Sequence, residues 1–137
     1  MNDTNVDNSG IAFKEKIKIF YEYSKQSQKI GYCPVQDILA PSVDKWSLFI
    51  IYNLAYNGVL RFNQMRALVP QISSRMLSVT LKKLEASEIV CRKAYNEIPP
   101  KVEYSLSEFG MQYSQKLIDL NLWLIEQSPS IKRNSKH

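Results

Sequence analysis

Histidine is almost missing from this chain. The single one, His137, is the last residue. That excludes most metal sites, Ser-His and Cys-His dyads, and most general-base chemistry. Only two cysteines occur, Cys33 and Cys91, far apart in sequence. A disulfide-stapled secreted scaffold is therefore excluded, and reduced thiols in a cytoplasm are expected. Glycine is scarce, and Gly10, Gly31, Gly58 and Gly110 form no phosphate-cradling loop. No apolar run is long enough to span a bilayer, since Trp46 to Tyr56 is broken by Ser47 and Asn53. Residues 1–10 are polar and acidic, which is not the pattern of a signal peptide. No catalytic residue, metal, cofactor or membrane partner is expected, and an enzyme is the least favoured class.

Acid is the last shortage, and it is local. The chain has 18 Lys+Arg against 13 Asp+Glu, a formal charge of +5 over 137 residues. From Lys45 to Leu84 there is no Asp or Glu, while Lys45, Arg61, Arg66, Arg75, Lys82 and Lys83 all fall there. A field of one sign attracts phosphates and releases their counterions on binding. Hydrophobic residues make up 45% and charged residues 23%, so the chain can bury a core and its length fits one domain.

Hydrophobic periodicity divides the chain. Residues 1–10 read as a disordered tail and 128–137 as a basic flexible tail, around one domain over 11–127. Phe13, Ile17, Phe20 and Ser24 share one side of an amphipathic helix over about 12–30, broken by Gly31. Pro34 opens a short helix with Cys33 at or near its N-cap, and Pro41 ends it. Asp44 starts a helix that is apolar over most of its circumference and stops at Asn57-Gly58. Val59 to Phe62 suits a brief strand. Asn63 caps a helix to about Val69, and Ser73 or Ser74 caps another to about Ala86. Ile89 to Tyr95 and Val102 to Leu106 read as a hairpin with Pro99-Pro100 at its tip. Ser107 caps a final helix striped by Phe109, Tyr113, Leu117, Leu120 and Leu124. The fold class is mainly α with a small β-hairpin: a winged helix-turn-helix.

At about 100° per residue, Leu77, Leu81 and Leu84 share one face of the helix over 73–86, with Thr80 beside them. The opposite face carries Arg75, Val79 and Lys82, flanked by Ser74, Ser78 and Lys83. Arg can fork onto guanine in the major groove, and short Ser side chains can approach bases or phosphates. Capping alone is the plain alternative for Ser73 and Ser74. Lys82 and Lys83 suit phosphate better than bases. Arg92, Lys93 and Lys101 are candidate wing cations for backbone or minor groove. The plain alternative there is Glu103 pairing across the strands with Arg92 or Lys93. Candidate DNA contacts are thus Arg61, Arg66, Ser73, Ser74, Arg75, Ser78, Val79, Lys82, Lys83, Arg92, Lys93 and Lys101. Trp46, Tyr52, Tyr56 and Trp123 read as core aromatics, with an aromatic effector pocket as the alternative.

The segments CPVQDIL, DKW, RFNQMRALVPQISSRMLSVTLKKLE and IPPKVEYSLSEFG, with the late Trp123, resemble the HxlR family of bacterial and archaeal winged-helix regulators, relatives of MarR. The resemblance implies a cytoplasmic homodimer, formed through the N- and C-terminal helices, on a pseudo-palindromic operator. It implies that 73–86 is the recognition helix and that the paired helices lie about 34 Å apart, one turn of duplex. It places Cys33 where some members sense electrophiles or oxidants. A helix N-terminus stabilises a thiolate, which favours such a sensor, while a small residue packed at the dimer interface is the alternative. Cys91 reads as structural. Two departures stand out: Val43-Asp44 where the family often has a glycine pair or Gly-Asp, and Ser87-Glu88 where a glycine usually follows the recognition helix. A non-glycine residue in a left-handed cap costs about 1 kcal/mol. The reading is a DNA-binding repressor with a small electrophile or aromatic molecule as effector. The rival is a winged-helix protein- or RNA-interaction module without promoter binding.

Overall fold

The structure is a computed structural model that describes the backbone of residues 10–135 and the side chains of residues 10–128. The expected tail over 1–10 therefore lies almost wholly outside the described residues. The chain groups into two units, Met1–Ala40 and Pro41–His137. The first holds α1 (Phe13–Ile30), closed by Gly31 in the left-handed region at φ 80°. Its one buried residue is Ser27, and Phe13 and Phe20 of the expected apolar stripe stay exposed. After Pro34 comes a wide turn over Val35–Leu39, in which the Ala40 N–H donates to the Val35 carbonyl.

Pro41 does not end this piece. A single turn, α2 (Ala40–Ser42), passes it by one residue and ends at Ser42. A proline crowds the carbonyl four residues back, and the wider turn before it relieves that clash.

The second unit is built on α3 (Lys45–Asn57). Asp44 caps it, accepting from the Ser47 N–H at 3.2 Å, and Gly58 stops it at φ 86°. Ser47, Ile50, Ile51 and Leu54 are buried. The all-round apolar pattern is only partly used, since Phe49 is exposed and Tyr56 is 91% exposed. β1 (Val59–Arg61) leads directly into α4 (Phe62–Leu68). The expected cap Asn63 lies inside that helix. Arg61 is the cap, because its N–H donates to Gln64 Oε1 at 2.8 Å and the strand leaves no linker.

Ser73 caps α5 (Ser74–Ala86), accepting from the Met76 N–H at 3.0 Å. Leu77, Thr80, Leu81 and Leu84 are buried, as the helical spacing requires. With Ile50, Ile51, Leu54, Leu60, Met65 and Ile89 they form the core. Each of the Leu, Ile and Met side chains contributes roughly 1.5–3 kcal/mol by leaving water. β2 (Val90–Tyr95) and β3 (Lys101–Leu106) form the hairpin, and β1 pairs with β3 from the other side. The sheet order is β1-β3-β2, all antiparallel.

α6 (Glu108–Ser135) is capped by Ser107, whose Oγ accepts from the Gly110 N–H at 2.8 Å. The helix runs through Pro129 to Ser135 instead of ending near 127. One proline removes one donor, and the Ile, Lys and Arg that follow it are tolerable helix residues. Helix-turn-helix plus hairpin makes this unit a winged helix.

Candidate nucleic-acid interface

The turn between α4 and α5 sets the aim of α5. Gln71 takes φ 69° there, a conformation usually left to glycine. Ser73 is spent on capping, which leaves Ser74 exposed in the first turn. Beyond it Arg75, Val79 and Lys82 are exposed and Ser78 is half-buried. Ser78 and Lys82 line a surface depression of about 300 Å³ together with Arg92 and Tyr104 of the wing and Glu85. The fold thus brings one predicted cation of α5, Lys82, and one of the wing, Arg92, to one surface, while Lys93, next along the strand, falls on the opposite face of the hairpin. Among the described residues no acid is paired with Arg75, Lys82 or Arg92.

Two of the expected cations are engaged internally. Lys83 Nζ lies 2.8 Å from Asp44 Oδ1, tying α5 to the start of α3. Partial burial pushes the Asp44 carboxyl up, but bonds from Lys83 and from the Ser47 side chain and backbone outweigh it. The group sits below its ordinary value.

On the wing, Glu103 lies opposite Lys93 in register, yet it pairs with Lys101 on its own strand at 2.9 Å. The alternative of a cross-strand pair to Arg92 or Lys93 gives way to this one: Lys101 and Glu103, two apart, share a face, and the Lys93 ammonium lies over the Tyr95 ring. Tyr95 O–H donates to Glu103 Oε2 at 3.0 Å, and the Lys93 and Lys101 ammoniums lie 4.9 and 4.8 Å from the Tyr95 ring centroid. The bond from Lys101, then that from Tyr95, holds Glu103 below its usual value. The bond to Glu103 raises Lys101.

Arg61 sits opposite Glu103 in the β1–β3 register. Arg66 is exposed in the last turn of α4, where a cation also complements the helix dipole.

Sequence reasoning missed three participants. Asp44 was read only as a cap, Tyr95 only as a strand residue, and Met76 not at all, though it is 41% exposed on α5. Helical rotation would have found Met76 beside Arg75. The core reading of the four aromatics fails for two of them, and Trp46 and Tyr52 are half-buried. Tyr56 and Trp123 (54% exposed) lie on the surface, while the Tyr52 hydroxyl oxygen accepts from the Asn121 side-chain amide N–H.

Cys33 lies in the other unit. It is half-buried in a depression of about 420 Å³ with Phe20, Ser27, Tyr32 and Asp37. Its carbonyl accepts from the N–H groups of Gln36 and Asp37, as an N-cap's does. Its own N–H donates to Asp37 Oδ2 at 2.8 Å, so an acid already meets the positive end of this short helix. Cys91 is exposed on β2, opposite Ser105.

The family model for the HxlR-like helix-turn-helix matches residues 43–132. The chain belongs to the HxlR-like helix-turn-helix family. It is 38% identical over 106 residues to the HTH-type transcriptional regulator YdeP of Bacillus subtilis (strain 168), covering 77% of this chain and 80% of the relative. Among solved structures, the transcriptional regulator ytfH from Salmonella typhimurium matches with a TM-score of 0.67 at 30% identity, over 78% of this chain and 95% of that one. The redox regulator HypR in its reduced form matches with a TM-score of 0.65 at 36% identity, over 74% of this chain and 99% of that one.

This HxlR-like chain is a transcriptional regulator with a DNA-binding helix-turn-helix. The matched segment holds the depression between α5 and the wing and begins after Cys33. Among the described residues no helix is long and apolar enough to cross a membrane.

Proposed function

We propose that two copies of this chain bind a pseudo-palindromic operator as a cytoplasmic repressor, with α5 in the major groove and the wing along the backbone. The observation that carries this reading is the shared surface of Ser78, Lys82 and Arg92, beside exposed Arg75, where among the described residues no acid is paired with these cations. Arg75 and Ser74 address base edges and nearby phosphates. Lys82, Arg92 and Lys93 address phosphates, with Arg61 and Arg66 as outer contributors to the field. A dimer seated over a promoter excludes polymerase, which makes repression the expected outcome.

The effector class is a small electrophile or oxidant acting at Cys33. Two observations support that reading: the partial exposure of Cys33 in its depression, and the likeness to a redox regulator.

One binding assay tests these statements. Duplexes are first selected from a random library by the full chain, and affinity is then read by fluorescence anisotropy across salt. Wild-type affinity should fall steeply with salt. Arg75→Ala should cost about 1–3 kcal/mol and relax one base position per half-site. Diamide should change wild-type affinity several-fold and leave Cys33→Ser unaffected. Salt-independent binding, or RNA competing as well as duplex DNA, would sink the operator reading. An equal diamide response in both proteins would remove Cys33 from it.

A further inference from the structure

Val79 has no use inside the fold. It is 53% exposed, while the buried face of its helix is Leu77, Thr80, Leu81 and Leu84. Arg75, Val79 and Lys82 fall within roughly 60° of arc, with Val79 at one edge of it and between the two cations along the helix axis. A β-branched residue is also a mediocre choice for a solvated helix position, where Lys, Glu or Ala would serve better.

The surface this arc faces, on the reading proposed above, is a major groove. Its edges are hydrogen-bonding atoms with one apolar exception, the 5-methyl group of thymine. Arg75 precedes Val79 by one helical turn, which separates their Cβ atoms by about 5–6 Å. Successive bases on one strand are about 3.4 Å apart, so residues one turn apart reach bases one or two steps apart.

We propose that Val79 packs on the 5-methyl group of a thymine lying one or two base pairs from a guanine bound by Arg75. This rests on the operator reading and adds the base class that it leaves open. Met76, exposed on the flank of the same arc, closes the contact from the far side.

The test uses the full chain and a duplex selected by it from a random library. Each thymine of a half-site is replaced in turn by uracil, which removes only the methyl group. One position per half-site should weaken wild-type binding by about fourfold, the equivalent of one buried methyl. Val79→Ala, which folds readily because alanine is the better helix former, should bind the thymine duplex more weakly and lose that uracil penalty. A penalty that persists unchanged in Val79→Ala overturns the proposal, as does the absence of any uracil-sensitive position, while either leaves DNA binding intact. Failure to select any sequence overturns the operator reading itself.

Discussion

Lys83 and Lys101 look alike in the sequence and differ from Arg75 and Lys82 in what they do. Each is held by a carboxylate of its own chain, Asp44 and Glu103. An ammonium bonded at 2.8 Å to an acid gives little net charge to a phosphate, and the pair instead fixes an angle. Lys83 thereby ties α5 to the start of α3. Lys83→Met should therefore leave the salt dependence of DNA binding close to wild type, whereas Lys82→Ala should lower its slope by about one.

The pair also predicts a pH effect. Asp44 has a lowered folded-state value, so its stabilisation is present above the unfolded carboxyl value and lost as pH falls through the folded one. The gap in melting temperature between wild type and Asp44→Asn should be constant near neutral pH and close below about pH 4. A gap unchanged at pH 3 would mean that Asp44 acts only as a neutral cap. Both side chains are more than a third exposed, so the effect is small, about 0.5–1 kcal/mol.

The elements were largely legible because their signals are local. Asp44, Ser73 and Ser107 cap where a short polar residue precedes an apolar period, and Gly31 and Gly58 stop helices where φ turns positive. The failures were local signals overridden by neighbours. Asn63 is a good cap by type, but β1 runs into α4 too soon for it. Pro41 is a breaker by type and the turn holding it ends one residue later at Ser42, whereas Pro129 costs one donor in a helix that continues to Ser135. The pairing of Glu103 with Lys101 was open to the strand's period of two, whereas the bond from Tyr95 to Glu103 needed the hairpin register, which no short-range pattern gives.

Glu88, in the slot where the family resemblance places glycine, takes φ 62° after α5. The Ile89 N–H still reaches the Leu84 carbonyl at 3.0 Å, so the turn closes as a glycine turn would, with strain at one residue. Glu88→Gly should stabilise the fold by about 0.5–1 kcal/mol in urea unfolding. A loss of stability would mean that the Glu88 side chain contributes more than its backbone costs.

On the scale of the whole molecule, each unit leaves apolar surface uncovered. α6 exposes Leu120, Leu122, Trp123, Leu124 and Ile125, with Leu117 buried beneath. α1 exposes Phe13, Ile19, Phe20 and Tyr23. Exposed patches of this kind mark interaction surfaces, and a second copy of the chain is the partner the operator reading requires. The stripe on the last helix was legible from spacing. Which of its residues would turn inward was not, because that depends on how α6 lies against α3 and β3.

The central claim is that paired copies present the Arg75–Lys82 arc to adjacent major grooves. Hydroxyl-radical and methylation footprinting on the selected duplex tests it most directly. The account predicts two symmetric major-groove footprints about one helical turn apart, each lost at its guanine in Arg75→Ala. A single unpaired footprint, or protection that Arg75→Ala leaves unchanged, would contradict it.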